Sequence, residues 1–409
     1  MSIFNHNWEK SRRSEQGQLR HLVIIAGYYG FDNLGDEAIL EELLNELNSL
    51  CGRENIVVLS HNPDKTASIY QIKAINRWHW FDCLKLLRKA KLLVSGGGGL
   101  FQDRTGLGSV IFYSAQILLA RLCGTKVLIY AQGLGPLRNI FSKELTRLAF
   151  GQSNKITVRD SNSLAMVKEW GLAAQLTADP VWSLPSSALP EPAREMLETM
   201  THELSKLPET KGINAKRMII GLSLRDDPLL QNYHLEFLAK GIADAVPDQS
   251  AILLLPLQAQ RDQKPLQTIE QFLSQSGLRT HWLDPSILAK PSQWLTLIEN
   301  IDILIGMRFH ALLLALKSGK PVIGIAYDQK VSQLLSDFKQ PSLSLGADQY
   351  QCEAIWPQTI NSAIAAKEDL ANMIKGKLIT TKELADKNIK SLAEILEVGT
   401  AGDVTSIYG

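Results

Sequence analysis

Residues 22–50 read LVIIAGYYGFDNLGDEAILEELLNELNSL: a β-branched run, a loop with glycines at 27, 30 and 35, and then a helical pattern. Ile39, Leu40, Leu43, Leu44, Leu47 and Leu50 recur at spacings of three and four, so one apolar stripe faces a neighbouring layer. A strand that runs through a Gly-rich loop into an amphipathic helix is half of a βαβ unit, and the pattern repeats. LVIIAG, NIVVLS, KLLVSG, TKVLIYAQG and KITVR are the strand candidates of the first half, with helical segments between them. Such alternation predicts a parallel sheet covered by helices on both faces.

Between about Ser183 and Lys216 the alternation stops at SLPSSALPEP, a charged helix and the loop-like LPETKGINAK. It resumes with MIIGLSLR, AILLLPLQ, THWL, DILIGM, PVIGIAY and SLSL. The chain is thus built twice over, an α/β protein that resembles the twin-Rossmann architecture called GT-B, with two parallel-sheet domains facing a central cleft. The expected division is a flexible segment 1–20, a first Rossmann-like domain 21–183 on the acceptor side and a linker with a charged helix 184–216. A second Rossmann-like domain 217–350 on the donor side, helices 351–398 packing across the junction and a tail 399–409 complete it. In open parallel sheets ligands sit beyond the carboxyl ends of the strands, so the loops there are the places to search.

The 409 residues are 45% hydrophobic and 21% charged, with 43 basic against 42 acidic side chains, an ordinary globular composition. A net charge of +1 gives no footprint for nucleic acid, and an anionic ligand must be met by a few local cations. Cys51, Cys83, Cys123 and Cys352 lie far apart with no CxxC pair, and read as reduced thiols of a cytoplasmic protein. The polar first twenty residues lack the apolar stretch of an export signal. The most apolar run, Val110–Ala120, is too short to span a bilayer and is expected as a buried helix. No HExxH, paired histidines or DxD motif occurs, so no metal or other cofactor is expected.

Four constellations carry chemistry. In the loop from Gly27 to Glu37, Tyr29, Asn33 and Asp36 precede or open a helix; Asn33 and Asp36 serve either as caps or as ligands of an acceptor. The run Gly96, Gly97, Gly98, Gly99, followed by Phe101, suits backbone that wraps a ligand or touches other backbone, and Gln132 follows the next strand. Arg159, in TVRDS, either forks onto an anion or pairs with a neighbouring carboxylate, while Asp160 or Ser161 caps the next helix. The most informative segment runs IGMRFHALLLAL and then GKPVIGIAYDQKV, which places Arg308 and His310 after one strand and Tyr327, Asp328 and Lys330 after the next. A histidine at a helix start beside an arginine is suited to proton transfer at an anion site.

In order and spacing, YYGFDNLGDEAIL, SGGGGLFQD, TVRD, GLSLR, LLLPLQ…D and GMRFHALLLAL…PVIGIAYDQKV resemble the polysaccharide pyruvyl transferase family, in particular its CsaB branch. The resemblance implies a GT-B-like enzyme that takes phosphoenolpyruvate as co-substrate and places a pyruvate ketal on a sugar of a cell-wall or surface glycan, free or lipid-linked. It implies His310, Arg308, Lys330 and Asp36 as catalytic residues. Arg308, Lys330, Arg159, Arg225, Gly97 and Gly98 are implied for the donor. Tyr29, Asn33, Gly99, Phe101, Gln132, Gln258, Tyr327 and Asp328 would line the cleft. A nucleotide-sugar glycosyltransferase and a non-catalytic glycan-binding protein of the same fold are the alternatives. Lys85, Arg88, Lys89 and Lys91 read either as a peripheral membrane contact or as a solvated helix face. Oligomeric state is left open.

Overall fold

A computed structural model describes residues 22–104, 106–206, 217–246 and 250–397. The segments 1–20 and 399–409, and residues 207–216 of the expected linker, lie outside the described residues. Two compact units emerge: one runs to Leu184 and resumes at Thr381, the other is Pro185–Thr380.

In the first unit the elements alternate: β1 (Val23–Ala26), α1 (Leu34–Cys51), β2 (Ile56–Ser60), α2 (Pro63–Tyr70), β3 (Lys73–Asn76), α3 (Trp80–Leu87), β4 (Leu92–Ser95) and α4 (Gly108–Leu122). They continue with β5 (Lys126–Gln132), α5 (Ile140–Gly151), β6 (Lys155–Val158), α6 (Ser161–Glu169) and β7 (Gln175–Leu176). All pairings are parallel, in the order β3-β2-β1-β4-β5-β6-β7. β3 and β7, absent from the strands expected above, are the two edges. A half-exposed KAIN and a two-residue QL carry no continuous apolar run, and so escape a hydrophobic reading.

On one face of this sheet, Leu40, Leu43, Leu44 and Leu47 of α1 pack against Val23, Ile25, Val58 and Leu128. Leu392, Ile395 and Leu396 join that core, so the last helix, Lys387–Leu396, belongs to the first unit although more than two hundred residues separate it from β7. The helix Gln349–Ala365 packs instead within the second unit, where Pro357 and Ile360 close on Gly241 so tightly that a Cβ there would stand 2.7–2.8 Å from them. The passage from one unit to the other falls inside the helix Lys367–Ala385.

The second unit begins with α7 (Glu191–Lys206), whose Ala193, Leu197, Met200 and Leu204 are buried. This part of the expected linker is a packed element. Then come β8 (Ile219–Ser223), α8 (Asn232–Ala245), β9 (Ala251–Leu254), α9 (Ala259–Gln275), β10 (Arg279–Trp282), α10 (Pro291–Glu299) and β11 (Ile303–Gly306). α11 (Phe309–Lys317), β12 (Val322–Ala326), α12 (Gln329–Asp337) and β13 (Ser342–Ser344) follow. The sheet is again all parallel, ordered β10-β9-β8-β11-β12-β13, and each expected strand is present. Among the described residues no helix is long and apolar enough to cross a membrane.

Candidate active site

The carboxyl ends of β8, β11 and β12 lead into Arg225, Arg308 and Lys330, and that of β9 into Asp262. Arg308 occupies the N-cap position of α11, and its Nη2 donates to Oδ1 of Asp262, a fully buried side chain in the first turn of α9. The other oxygen of Asp262 accepts from the backbone N–H of Gln258 at 2.8 Å. Burial lifts the Asp262 carboxyl above its ordinary value, while the Arg308 hydrogen bond and charge pull the other way. Arg225, just beyond β8, donates through Nη1 to Tyr327 Oη at 3.3 Å and lies 4.8 Å over the Tyr327 ring. The Nε of both arginines is buried without a hydrogen-bond partner among the described residues. Asp227 lies 3.9 Å from the Arg225 Nε, an ion pair beyond hydrogen-bond distance, so two planar forks at adjacent strand ends keep hydrogen-bond donors that suit an anion.

His310 and Lys330 sit in the first turns of α11 and α12, both half-buried, so the strand-then-helix turns deliver them to the same edge of the sheet. Asp328 is spent on the fold: its Oδ1 accepts from Val331 N–H at 3.0 Å and caps α12. The second unit therefore brings together Arg225, Gln258, Arg308, His310, Tyr327, Asp328 and Lys330. Asp262 was visible as the final D of LLLPLQ…D, but a partner distant in the chain gave no sign that Arg308 would lean on it.

The first unit holds the remaining expected residues. Asn33 caps α1, accepting from Gly35 N–H at 3.2 Å, and Asp36 lies in the first turn. Gly98 adopts φ +95°, and a Cβ on it would stand 2.8 Å from Asp36 Oδ1. Its carbonyl accepts from Gly133 N–H at 2.9 Å and from Gln132 Nε2 at 2.8 Å. At Gly97 a Cβ would come 3.2–3.3 Å from the carbonyls of Ala131 and Tyr130. The glycine run thus lets two strand-end loops touch backbone to backbone. Gly99 is half-buried beside them.

Three side chains expected to line a cleft are interior. Tyr29 fills the space over Gly27 and Gly96, Phe101 packs edge-on against Phe150 with ring centres 5.0 Å apart, and Gln132 is fully buried between Gly98 and Gly133. Their aromatic and amide surface is used by packing and by backbone groups. Arg159 likewise pairs through Nη1 with the buried Asp179, beside Gly133, and belongs to the first unit. Asp160 caps α6 by accepting from Ser163 N–H at 2.7 Å. Among the described residues, no three of His, Cys, Asp and Glu assemble in a way that holds a metal ion.

Two Rossmann-like parallel-sheet units define a GT-B-like fold. Solved structures sharing it include a UDP-N-acetylglucosamine 2-epimerase homologue from Listeria monocytogenes (9% identity, TM-score 0.61, covering 92% of this chain and 97% of that one). Others are HepE of Anabaena in complex with UDP and glucose (12%, 0.57, 92% and 99%) and a glycosyltransferase of Rickettsia africae (13%, 0.56, 92% and 99%). The sequence model of the polysaccharide pyruvyl transferase family matches residues 33–329, and the chain belongs to that family. No curated protein matches it by sequence.

Proposed function

We propose that the protein transfers the pyruvyl unit of phosphoenolpyruvate to a sugar of a surface or cell-wall polysaccharide, or of its lipid-linked precursor, forming a pyruvate ketal. The observation that carries this reading is the pair Arg225 and Arg308, each with a buried Nε that makes no hydrogen bond among the described residues, at the strand-end edge of the sheet whose following helices also carry His310 and Lys330. Phosphoenolpyruvate is small and highly anionic, and convergent guanidinium groups match its carboxylate and phosphate.

In the proposed reaction His310 gives a proton to the methylene carbon, leaving the central carbon oxocarbenium-like. A sugar hydroxyl oxygen bonds to that carbon and its proton returns to the histidine. The carbon–oxygen bond to phosphate then breaks with its electron pair on phosphate, assisted by Lys330. A second hydroxyl oxygen closes the ketal, and its proton leaves with the phosphate. One phosphoenolpyruvate and two hydroxyls give one ketal and one hydrogen phosphate. The acceptor-side role of Asp36 rests on its motif and on its place in the first unit. No resident metal or cofactor enters the scheme.

The test is phosphate release from phosphoenolpyruvate with a panel of free and lipid-linked hexosamine acceptors. The expected result is release that depends on both substrates and drops about 10²–10⁴-fold in His310→Gln. Turnover of UDP-sugars in its place, or full activity in that variant, sinks the reading.

A further inference from the structure

The loop after β3 and the start of α3 expose an aromatic surface that the transfer reading does not use. Trp78 is 52% exposed, Trp80 38%, Phe81 84% and Ile111, on α4, 45%. Trp78 and Trp80 both rest on the Phe112 ring, with centres 4.7 and 5.5 Å apart. Behind them Arg77 is buried, its guanidinium 4.3 Å over Phe112 and 5.5 Å from Trp78, and it donates to Gly27 O and Tyr113 Oη. The tryptophans are therefore braced from within and held out at the surface.

Further along lie Lys85 on the same helix, Arg88 at its C-cap and Lys89 just past its end, all exposed. The acid on this stretch is Asp82, 3.8 Å from Lys85 and 3.9 Å from His79. Lys91 is not part of the face, because its Nζ donates to Leu396 O at 2.5 Å.

We propose that this face docks on an anionic lipid bilayer. At a helical rise of 1.5 Å per residue, Lys85 trails Phe81 by about 6 Å and Arg88 by about 10 Å. An aromatic tip entering the interfacial zone therefore brings the cations to the level of the lipid phosphates, the order in which such groups partition. A second copy of the chain is the poorer occupant: a two-fold contact brings the same cationic patch from both copies into one interface, with Asp82 the acid on this stretch to offset it. The proposal does not depend on which group the enzyme transfers. It gives that reading a place to meet a lipid-linked acceptor, since Trp80 and Phe81 lie at the carboxyl edge of the first sheet.

Co-sedimentation of the full chain with vesicles tests it, using phosphatidylcholine alone and phosphatidylcholine mixed equally with phosphatidylglycerol. Binding to the mixed vesicles is expected, with a blue shift in tryptophan emission, and at least ~10-fold weaker binding to the neutral ones. Phe81→Glu should lower binding to the mixed vesicles ~10-fold or more. Lys85→Glu with Arg88→Glu should remove the preference for anionic lipid. Leu122→Glu, at a position equally exposed at the far end of α4, should change nothing. Circular dichroism and melting of the variants should match the parent, as expected for side chains that pack on little. No binding to either vesicle, or undiminished binding by Phe81→Glu, overturns the proposal. So does a parent dimer that Phe81→Glu converts to monomer without any vesicle binding. Phosphate release with a soluble acceptor should be equal in parent and Phe81→Glu; its absence in both would defeat the transfer reading and leave the vesicle result standing.

Discussion

Asp262 and Arg308 are 46 positions apart and meet at one carboxylate oxygen. Asp262→Asn leaves the guanidinium without its charge partner, which should cost about 3 kcal/mol of stability in chemical denaturation. Under the proposed reaction it should also raise the KM for phosphoenolpyruvate more than it lowers kcat, because the carboxylate acts by positioning Arg308. The cations at the strand ends were legible because strand, charge and helix start are contiguous in sequence. Their counter-ions Asp262 and Asp179 were not, since each pairing is made by folding and no local pattern encodes it. A second test sits at Tyr29, whose hydroxyl is buried without a hydrogen-bond partner among the described residues. A Cβ on Gly96 would fall 2.0 Å from that hydroxyl oxygen but 3.1 Å from the ring carbon bearing it. Gly96→Ala should therefore cost about 1–3 kcal/mol. Tyr29→Phe should be neutral or stabilising alone and recover much of that loss in the double variant, as read by a denaturation cycle.

At the level of elements, α1 is buried more completely than its leucine stripe requires. The stripe was readable; the burial of Glu42 and Glu46 was not, because the last helix, which shares the α1 core, comes more than three hundred residues later. Glu46 accepts a 2.5 Å hydrogen bond from Tyr130, and burial first, then the charge of Glu42, holds its carboxyl well above the ordinary 4.5. Unfolded, the group ionises near 4.5; folded, it keeps its proton to higher pH. Its contribution is thus full below that value and declines as pH rises toward the folded one, at about 1.4 kcal/mol per unit. Glu46→Gln should melt higher than the parent at neutral pH, with the gap closing as pH falls to the ordinary carboxylate range. In the first sheet the central strands are legible because a strand buried on both faces is a continuous apolar run, whereas the edges β3 and β7 carry none; in the second sheet the equally open edges β10 and β13 are still legible, as THWL and SLSL.

For the whole molecule, the division into two units predicts where damage travels. Leu392 is fully buried in the core of the first unit. Leu392→Ala should lower stability by about 2–5 kcal/mol, and hydrogen exchange should quicken in β1 to β6 while β8 to β12 keep their protection. A mutation close to the C-terminus would thus loosen a sheet that starts at Val23. The same return of the chain sets an order of events during synthesis. The first unit waits for Lys387–Leu396, so at about 5–20 residues per second its sheet emerges with one face unfinished for some 10–40 s while the whole second unit is made. The segment translated second has all its parts first, and the protein's N-terminal half is the last to close.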